Sequence, residues 1–338
     1  MPRRASFYLE EEMLKDEIER RNAKRVLIQL PEGLKAEGPR LATIVEKAGV
    51  LAIISADPCY GACDLAIQEA EALGADLLIH FGHSPLTTQQ RVPIIYIEAK
   101  ASIGIKEAVD QAVPYLKDWK SLGLATTVQH VDMLSEAREL LIKTGKSVAI
   151  GDTGKLKYAG QVIGCNYSNG KAITKDVEAF LFIGGGKFHA IGLALATAKP
   201  VIVADPHEKR AYAIDGEVQR IMKQRWATIH EAKKAEKFGV LIGLKSGQEK
   251  FDRALQIKEK LEKNEKKTTL FALREMTPEA LMQFPTVDTF VNTACPRISL
   301  DDASKFLKPV LTLDETSVIL GEMSWENLCK EGWFGNAT

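Results

Sequence analysis

Short runs of aliphatic and β-branched residues alternate with longer amphipathic segments along the whole chain. The first run is Arg25 to Leu30, and a helical pattern follows it over about residues 34–48. Further apolar runs occupy 51–55, 76–81 and 93–97. Continuous apolar strands separated by helical segments are typical of a parallel sheet with crossover helices. The pattern therefore predicts an α/β fold.

The same layout occurs three times. First strands are predicted at 25–30, 122–128 and 238–244, each followed by a helical segment, at 34–48, 131–144 and 248–263. The third strands are predicted at 75–82, 178–184 and 287–294, and the fourth at 92–98, 199–205 and 308–314. The second residue of each fourth-strand segment is a proline: Pro93, Pro200 or Pro309. A recurrence at roughly 110 residues indicates repeated structural units.

We therefore predict three repeated parallel-sheet α/β domains around a pseudo-threefold axis, with a central site. The predicted domains are residues 1–115, 116–230 and 231–338, containing Cys63, Cys165 and Cys295, respectively. Ligands of open α/β sheets bind beyond the carboxyl ends of the strands, so the loops of three such units can meet at one pocket.

Charge and hydropathy exclude several function classes. Lys+Arg and Asp+Glu number 45 each, so no overall field favours nucleic acid. Lys258 to Lys267 is basic, but interspersed glutamates make a solvated helix face the better interpretation. No run of about 18 apolar residues occurs, and residues 1–20 lack the apolar core of a signal peptide. We expect a cytoplasmic protein without nucleic-acid or membrane partners.

Cysteines are the strongest candidates for chemistry. Five cysteines in a chain of 338 residues do not suggest a disulfide framework. Cys63, Cys165 and Cys295 each lie in a predicted strand-end loop of a different unit, although Cys295 follows a third strand and the others follow second strands. Three thiolates suit a [4Fe–4S] cluster, which normally takes four, and leave one iron open to a substrate.

Other interpretations of the cysteines remain open at this point. Their wide spacing also fits three buried, small hydrophobic side chains. Zinc is less favoured because structural zinc sites usually contain closely spaced cysteine pairs. Cys59 forms a C-x₃-C pair with Cys63 and is a candidate fourth ligand, whereas Cys329 is interpreted as structural.

Polar residues and glycines at strand ends are candidates for contacts with a cofactor. They lie beyond the carboxyl ends of the predicted strands, where ligands of open α/β sheets bind. A strand-end histidine is also a common structural hydrogen-bonder, and a glycine triplet is also a common turn. The candidates are Gln29, Glu32, Gly33, His80, Gly82, His83, Gln129, His130, Gly184, Gly185, Gly186, His189 and Arg297.

Several of these segments together resemble one enzyme family. The segments are Gln29–Gly33, Tyr60–Asp64, His80–Ser84, Thr127–His130, Gly160–Ser168, Phe182–His189 and Ala294–Arg297 with Asp301 and Asp302. They are similar to the archaeal 2-(3-amino-3-carboxypropyl)histidine synthase family, which performs the first step of diphthamide biosynthesis. The resemblance extends over roughly residues 10 to 320.

The resemblance implies a homodimeric transferase in which Cys63, Cys165 and Cys295 hold one [4Fe–4S] cluster per chain. Such an enzyme reductively cleaves the bond between sulfur and the γ-carbon of S-adenosylmethionine, with electrons from a small donor protein. It adds the 3-amino-3-carboxypropyl group to the imidazole carbon of a histidine in translation elongation factor 2, and methylthioadenosine leaves. In such an enzyme, the candidates near the first strands are expected to hold ribose hydroxyls, the glycine triplet to contact adenosine or methionine, and the remainder to position the acceptor or the methionine carboxylate. The Cys-x₃-Cys-x₂-Cys motif of the usual radical S-adenosylmethionine enzymes is absent, so this chemistry is of a non-canonical kind.

Two other functions are compatible with the pattern. A condensing enzyme similar to quinolinate synthase also uses three α/β domains that each supply one cysteine to a cluster. A non-catalytic α/β scaffold or ligand-binding protein with buried cysteines is the second alternative. Iron content and formation of methylthioadenosine distinguish the three.

Overall fold

The computed structural model describes residues 7–86 and 91–335. Its strands form three separate larger sheets and one short pair. They are β1 (Phe7–Tyr8), β2 (Arg25–Gln29), β3 (Leu51–Ile54), β4 (Leu77–Phe81), β5 (Ile94–Ile97), β6 (Lys100–Ala101), β7 (Ser121–Thr126), β8 (Ser147–Ile150), β9 (Ala179–Ile183), β10 (Val201–Asp205), β11 (Arg210–Ala213), β12 (Lys237–Gly243), β13 (Lys267–Leu273), β14 (Thr289–Asn292) and β15 (Val310–Leu311).

Helices connect most of the parallel strands. They are α1 (Glu11–Arg21), α2 (Gly38–Lys47), α3 (Ile67–Ala72), α4 (Lys106–Ala112), α5 (Leu134–Lys143), α6 (Ser168–Ala172), α7 (Phe188–Thr197), α8 (Asp215–Ala232), α9 (Phe251–Lys263), α10 (Pro278–Met282), α11 (Pro296–Asp301), α12 (Leu313–Ile319) and α13 (Trp325–Glu331). Short 3₁₀ helices occupy Glu32–Glu37, Val113–Leu116, Val128–Met133 and Ala303–Lys305. Within the described residues, no helix has the length and apolar character needed to cross a bilayer.

The three larger sheets share one strand order. The first sheet runs β3-β2-β4-β5 and the third runs β13-β12-β14-β15, and all neighbours in both are parallel. The second sheet contains β8-β7-β9-β10 in the same arrangement and adds β11 as an antiparallel edge strand. The order is thus second, first, third and fourth strand each time. The predicted α/β fold with parallel sheets is confirmed.

Burial explains the continuous apolar runs in the sequence. Every residue of β4, β9 and β10 is buried, because helices pack on both faces of these parallel sheets. Edge strands are different: β3 and β8 have half-buried or exposed side chains along their whole length. In sequence, the central strands therefore look like segments of a buried helix. The shortness of each run and its content of β-branched residues distinguish a strand from a helix.

Two predicted helices begin differently in the structure. The segments 34–48 and 131–144 were each expected to be one helix, but a 3₁₀ helix precedes α2 and another precedes α5. Before α2, the change to α-helix occurs at Gly38-Pro39. Proline lacks a backbone N–H and suits the first turn of a helix, where that group has no intrahelical acceptor.

The second and third sheets share one hydrophobic core. Arg225 of α8 is fully buried and donates to Glu315 of α12 (Nε–Oε1 2.7 Å) and to the carbonyls of Ser299 and Val310. The backbone N–H of Trp333 donates to the carbonyl of Leu195 in α7 at 3.0 Å. The predicted boundary at residue 230 therefore lies within α8, and the division into 1–115, 116–230 and 231–338 stays a prediction.

Candidate functional site

Loops from all three larger sheets line one cavity of about 770 Å³. The loops after β2, β4, β7, β12 and β14 all contribute to its lining. These loops leave the carboxyl ends of parallel strands, where ligands of open α/β sheets gather. The cavity is therefore where the three sheets can act together on a ligand.

Cys63, Cys165 and Cys295 all line this cavity. Burial raises the pKa of Cys165 to about 12 and that of Cys295 to about 11, and the neighbouring thiols add to both shifts. Within the described ranges 7–86 and 91–335, these three sulfurs do not all lie within 4.8 Å of one another. The thiols are close enough to interact electrostatically but more widely spaced than the ligands of one metal ion.

A loop of the third sheet holds the segment that contains Cys63. The backbone N–H of Gly247, after β12, donates to the carbonyl of Cys63 at 2.9 Å. Gln248 Nε2 donates to Cys63 Sγ at 3.4 Å, and Ser246 Oγ accepts from the backbone N–H of Leu65 at 3.3 Å. The position of this thiol thus depends on residues more than 180 positions away in the chain.

Lys245, in the loop after β12, forms ion pairs that hold this loop against the segment that contains Cys63. Its ammonium lies 3.0 Å from Asp64 Oδ2, 2.8 Å from Glu275 Oε1 and 4.1 Å from the centre of the Tyr60 ring. Burial raises the pKa of Asp64, and the ammonium opposes that shift. A buried carboxylate needs such a partner, so Lys245 keeps Asp64 charged beside Cys63.

Cys165 lies at the tip of a tight turn between β8 and α6. Ile163 and Asn166 exchange two backbone hydrogen bonds of 3.2 Å around Gly164 and Cys165. A Cβ on Gly164 would lie 2.9 Å from the Phe188 ring, so glycine is required for this close packing.

Cys295 precedes α11, and the backbone N–H groups of Arg297 and Ile298 hydrogen-bond it. The Arg297 guanidinium stacks over Phe188 (4.0 Å to the ring centre), donates to the Phe188 carbonyl at 2.8 Å and pairs with Asp301 (Nε–Oδ2 2.6 Å). Its Nη1 is buried without a hydrogen-bond partner in the described structure. Arg297 therefore connects the third sheet to α7 and retains unused donor capacity.

Six of the thirteen candidate contact residues line the cavity: Gly33, Gly82, His83, Gln129, His189 and Arg297. Gln129 Nε2 donates to the carbonyl of Gly82 at 2.7 Å and so joins the first and second sheets. Burial lowers the pKa of His83 to about 4 and that of His189 to about 3. Both imidazoles are neutral near pH 7.

The other seven candidates lie outside the lining, and the structure gives them different contacts. Gln29 is buried; its Nε2 donates to the Asp64 carbonyl and its Oε1 accepts from the backbone N–H of Ala66. It therefore braces a loop, and its expected contact with ribose stays a prediction. His80 is fully buried against Gln29. Glu32 accepts from the backbone N–H of Cys59 at 3.3 Å.

The glycine triplet turns the chain between β9 and α7 and packs against Asp205. The backbone N–H of Gly186 donates to Asp205 Oδ2 at 3.3 Å, and Gly185 faces the same carboxylate and His207. Gly184 has a φ of 150°, which only glycine adopts readily. His130 packs edge-on against His207 (5.5 Å between ring centres), next to Gly184. None of these four residues lines the cavity. The expected contacts of the glycine triplet with adenosine or methionine, and of His130 with ribose hydroxyls, stay predictions.

Lys245 and Gln248 line the cavity but were not among the sequence candidates. They follow β12, the first strand of the third sheet, whereas Gln29 is the last residue of β2 and Gln129 follows β7, the first strands of the other two. Applying the strand-end rule to the third unit as well would have identified them.

Known proteins are similar to this chain in sequence and in fold. The family model described as "Putative diphthamide synthesis protein" matches residues 30–329. The chain belongs to the diphthamide synthesis family. The 2-(3-amino-3-carboxypropyl)histidine synthase of Pyrococcus horikoshii is 40% identical over 92% of this chain and 89% of its own. Subunit 1 of the corresponding mouse synthase is 31% identical over 91% of this chain and 71% of its own.

Solved structures of a family member have the same fold. The crystal structure of Dph2 from Pyrococcus horikoshii matches with a TM-score of 0.86 and 38% identity, over 94% of this chain and 92% of that one. A second crystal structure of that protein, with a 4Fe-4S cluster, matches with the same TM-score and 37% identity.

The donor set of the cavity fits such a cluster. Three thiols line it, and Cys59 and Cys329 are not in the lining. Three thiolates on a [4Fe–4S] cluster leave one iron without a protein ligand. The raised pKa values of the buried thiols mean that a positively charged metal centre is needed to keep them as thiolates.

Proposed function

We propose that this chain transfers the 3-amino-3-carboxypropyl group of S-adenosylmethionine to the imidazole carbon of a histidine in translation elongation factor 2. This is the first step of diphthamide biosynthesis and releases methylthioadenosine. One observation supports the proposal above others: thiols from three sheets line a single cavity in a chain of the diphthamide synthesis family.

Cys63, Cys165 and Cys295 are the proposed ligands of one [4Fe–4S] cluster. When bound, the cluster supplies the electron that cleaves the sulfonium C–S bond, with a small donor protein as its source. The chain itself holds the thiols in place. Gln248 and the backbone N–H groups of Arg297 and Ile298 donate hydrogen bonds to the sulfurs, and such bonds tune the potential of a cluster.

Arg297 is the proposed partner of the methionine carboxylate. The carboxylate needs a cation, and the neutral His83 and His189 do not provide one. Lys245 already pairs with two carboxylates. The other cations of the lining, Arg274 and Lys305, pair with one carboxylate each and are 39% and 66% exposed. Arg297 is 5% exposed, has one carboxylate partner and keeps an unused Nη1. Gly33, Gly82 and Gln129, which also line the cavity, are proposed to contact the remainder of S-adenosylmethionine.

The wider organisation follows the same proposal. The three α/β domains surround the cavity about a pseudo-threefold axis, so that each contributes one thiol. The active form is a cytoplasmic homodimer, as the family resemblance implies. Elongation factor 2 presents its histidine at the cavity mouth, where the acceptor carbon can approach the transferred group.

Single replacement of each cavity cysteine tests the proposal. Anaerobically purified wild-type protein should contain about four irons per chain, and with a reductant it should convert S-adenosylmethionine to methylthioadenosine. Cys165→Ala should lose turnover and most of its iron. Cys329→Ala, in α13 and outside the cavity lining, is the matched control and should retain both. A Cys165→Ala protein with full iron and activity would refute the ligand assignment.

A further inference from the structure

Cys59 faces a different set of partners from Cys63, although only three residues separate them. Cys59 is buried and outside the cavity lining. Its sulfur and one ring nitrogen each of His80 and His83 lie within 4.8 Å of one another. Among the residues that the structure describes, this is the one group of three or more such side chains that meets this spacing. The proposed transfer reaction makes no use of Cys59 or His80.

The orientation of His80 is fixed by its neighbour Gln29. Gln29 Nε2 donates to the Asp64 carbonyl at 2.7 Å, so its Oε1 must act as an acceptor. That oxygen lies 2.8 Å from His80 Nδ1, which therefore carries the proton. Nε2 of His80 is left with a lone pair, and it lies 3.0 Å from His83 Nδ1. A polar acceptor that holds the other ring nitrogen is typical of metal-binding histidines.

Burial keeps His80 and His83 in the neutral form that binds metal ions. It lowers the pKa of His80 well below its usual value and that of His83 to about 4. Both imidazoles are thus neutral and keep a lone pair at physiological pH. The backbone of Cys59 is held by Glu32 Oε1, which accepts from its N–H at 3.3 Å. The three donors are in position before any ion arrives.

We propose that Cys59, His80 and His83 bind one zinc ion, at a site distinct from the three-cysteine site. One thiolate and two imidazoles are ligands that zinc prefers, and zinc sites with three protein ligands keep a fourth position for water. His83 lines the cavity while Cys59 and His80 do not, so the water position is on the cavity side. On binding, the ion takes the place of the hydrogen bond between the two histidines, and the proton of His83 moves from Nδ1 to Nε2, so that Nδ1 can bind the ion. The thiol of Cys59 releases its proton to solvent.

The zinc site would connect two segments of the first sheet. Cys59 lies between β3 and α3, in the loop that also contains Cys63, and the histidines lie at the end of β4 and just beyond it. A bound ion would tie this loop to the strand end and so restrain the backbone that leads to Cys63.

X-ray absorption at the zinc edge of the wild-type, cluster-containing protein tests the proposal. After incubation with zinc chloride and dialysis against zinc-free buffer, one zinc per chain should remain. Its nearest shell should contain one sulfur at about 2.3 Å and two or three nitrogen or oxygen atoms at about 2.0–2.1 Å. Absence of retained zinc would overturn the proposal, as would a shell of three sulfurs, which would place zinc among the cavity cysteines.

Replacement of Cys59 gives a second, independent result. In Cys59→Ser, the occupancy of retained zinc should fall at least tenfold, whereas the iron content should stay unchanged. Cys329→Ser should keep both metals. Retention of zinc by Cys59→Ser would overturn the proposal. Loss of iron together with zinc from a folded Cys59→Ser protein would also overturn it, because Cys59 would then belong to the cluster site. Iron content reports on the transfer proposal separately from zinc content.

Discussion

Replacement of Lys245 by methionine should destabilise the fold and disturb the segment that contains Cys63. Lys245 and Asp64 have side chains that are 5% and 7% exposed, whereas Glu275 is 47% exposed. Removal of Lys245 therefore leaves one carboxylate buried without a cation. Methionine keeps most of the length and the apolar stem of the side chain but loses the contact of the ammonium with the Tyr60 ring, so the lost charge is the main change.

The expected cost can be estimated from the carboxyl group. Breaking a buried ion pair typically costs about 3–5 kcal/mol. Asp64 can instead take up a proton, which at pH 7 costs about 4 kcal/mol, given an ordinary pKa of about 3.9 and about 1.36 kcal/mol per pH unit. We expect the free energy of unfolding to fall by about 3–4 kcal/mol at pH 7. The difference from wild type should shrink as the pH falls towards 4, because Asp64 then becomes neutral at little cost.

Urea unfolding at pH 7 and pH 5 measures this effect, and iron content measures its local consequence. The double variant Lys245→Met/Asp64→Asn should recover part of the lost stability, because it contains no unpaired carboxylate. Lys106→Met is the matched control, since Lys106 pairs with Asp110 on the exposed face of α4, and it should behave as wild type. A loss below about 1 kcal/mol for Lys245→Met at pH 7 would refute the assigned role, since an uncompensated buried charge costs more than that.

Two further predictions concern backbone packing and pH. Gly247→Ala would place a Cβ 2.6 Å from Cys63 Cα, so we expect this variant to lose iron while its circular dichroism stays unchanged. Gly104→Ala is the control, because no atom lies within 4 Å of a Cβ there, and it should keep its iron. Equal iron content in both variants would contradict the packing argument. Burial lowers the pKa of His130 to about 4 in the folded protein, whereas an ordinary histidine has a pKa of about 6.5. As the pH falls below about 6.5, His130 is therefore protonated in the unfolded chain but not in the folded one, and this favours unfolding. Between pH 7 and 5, His130 should therefore lower the free energy of unfolding of the wild-type protein by about 2 kcal/mol. Urea unfolding of His130→Gln should show no such contribution, and an identical pH dependence of both proteins would contradict this.

Much of the fold was predictable because each strand is specified locally. The first strands predicted at 25–30, 122–128 and 238–244 are found at Arg25–Gln29, Ser121–Thr126 and Lys237–Gly243. Buried parallel strands require continuous apolar residues, and this requirement is visible in a short window of sequence. The antiparallel strand β11 was not predicted, because Arg210–Ala213 covers only four residues and has neither a continuous apolar run nor a clear alternation.

Contacts between distant segments were harder to predict. The buried pair Arg225–Glu315 joins α8 to α12, and no local pattern marks these two residues as partners. The same is true of Lys245 with Asp64. Such pairs depend on how the sheets pack, and periodicity contains no information about that packing. The predicted boundary at residue 230 therefore fell inside α8.

The candidate site was predictable to the extent that it follows strand ends. The expectation that strand-end loops meet at one pocket is borne out by the cavity, whose lining includes the three cysteines. The same rule selected Gln29 and Gly184, which lie beside strand ends but face other residues. Position along the chain identifies a strand end, whereas the direction of a side chain there depends on its hydrogen-bond partners.

The nucleoside product of S-adenosylmethionine cleavage is the most direct test of the proposed function. Anaerobic, reduced protein should be incubated with S-adenosylmethionine and elongation factor 2, and the products separated by liquid chromatography with mass detection. We expect methylthioadenosine and an elongation factor histidine that has gained the 3-amino-3-carboxypropyl group. Formation of 5′-deoxyadenosine instead, or no cleavage by protein with a full complement of iron, would contradict the account.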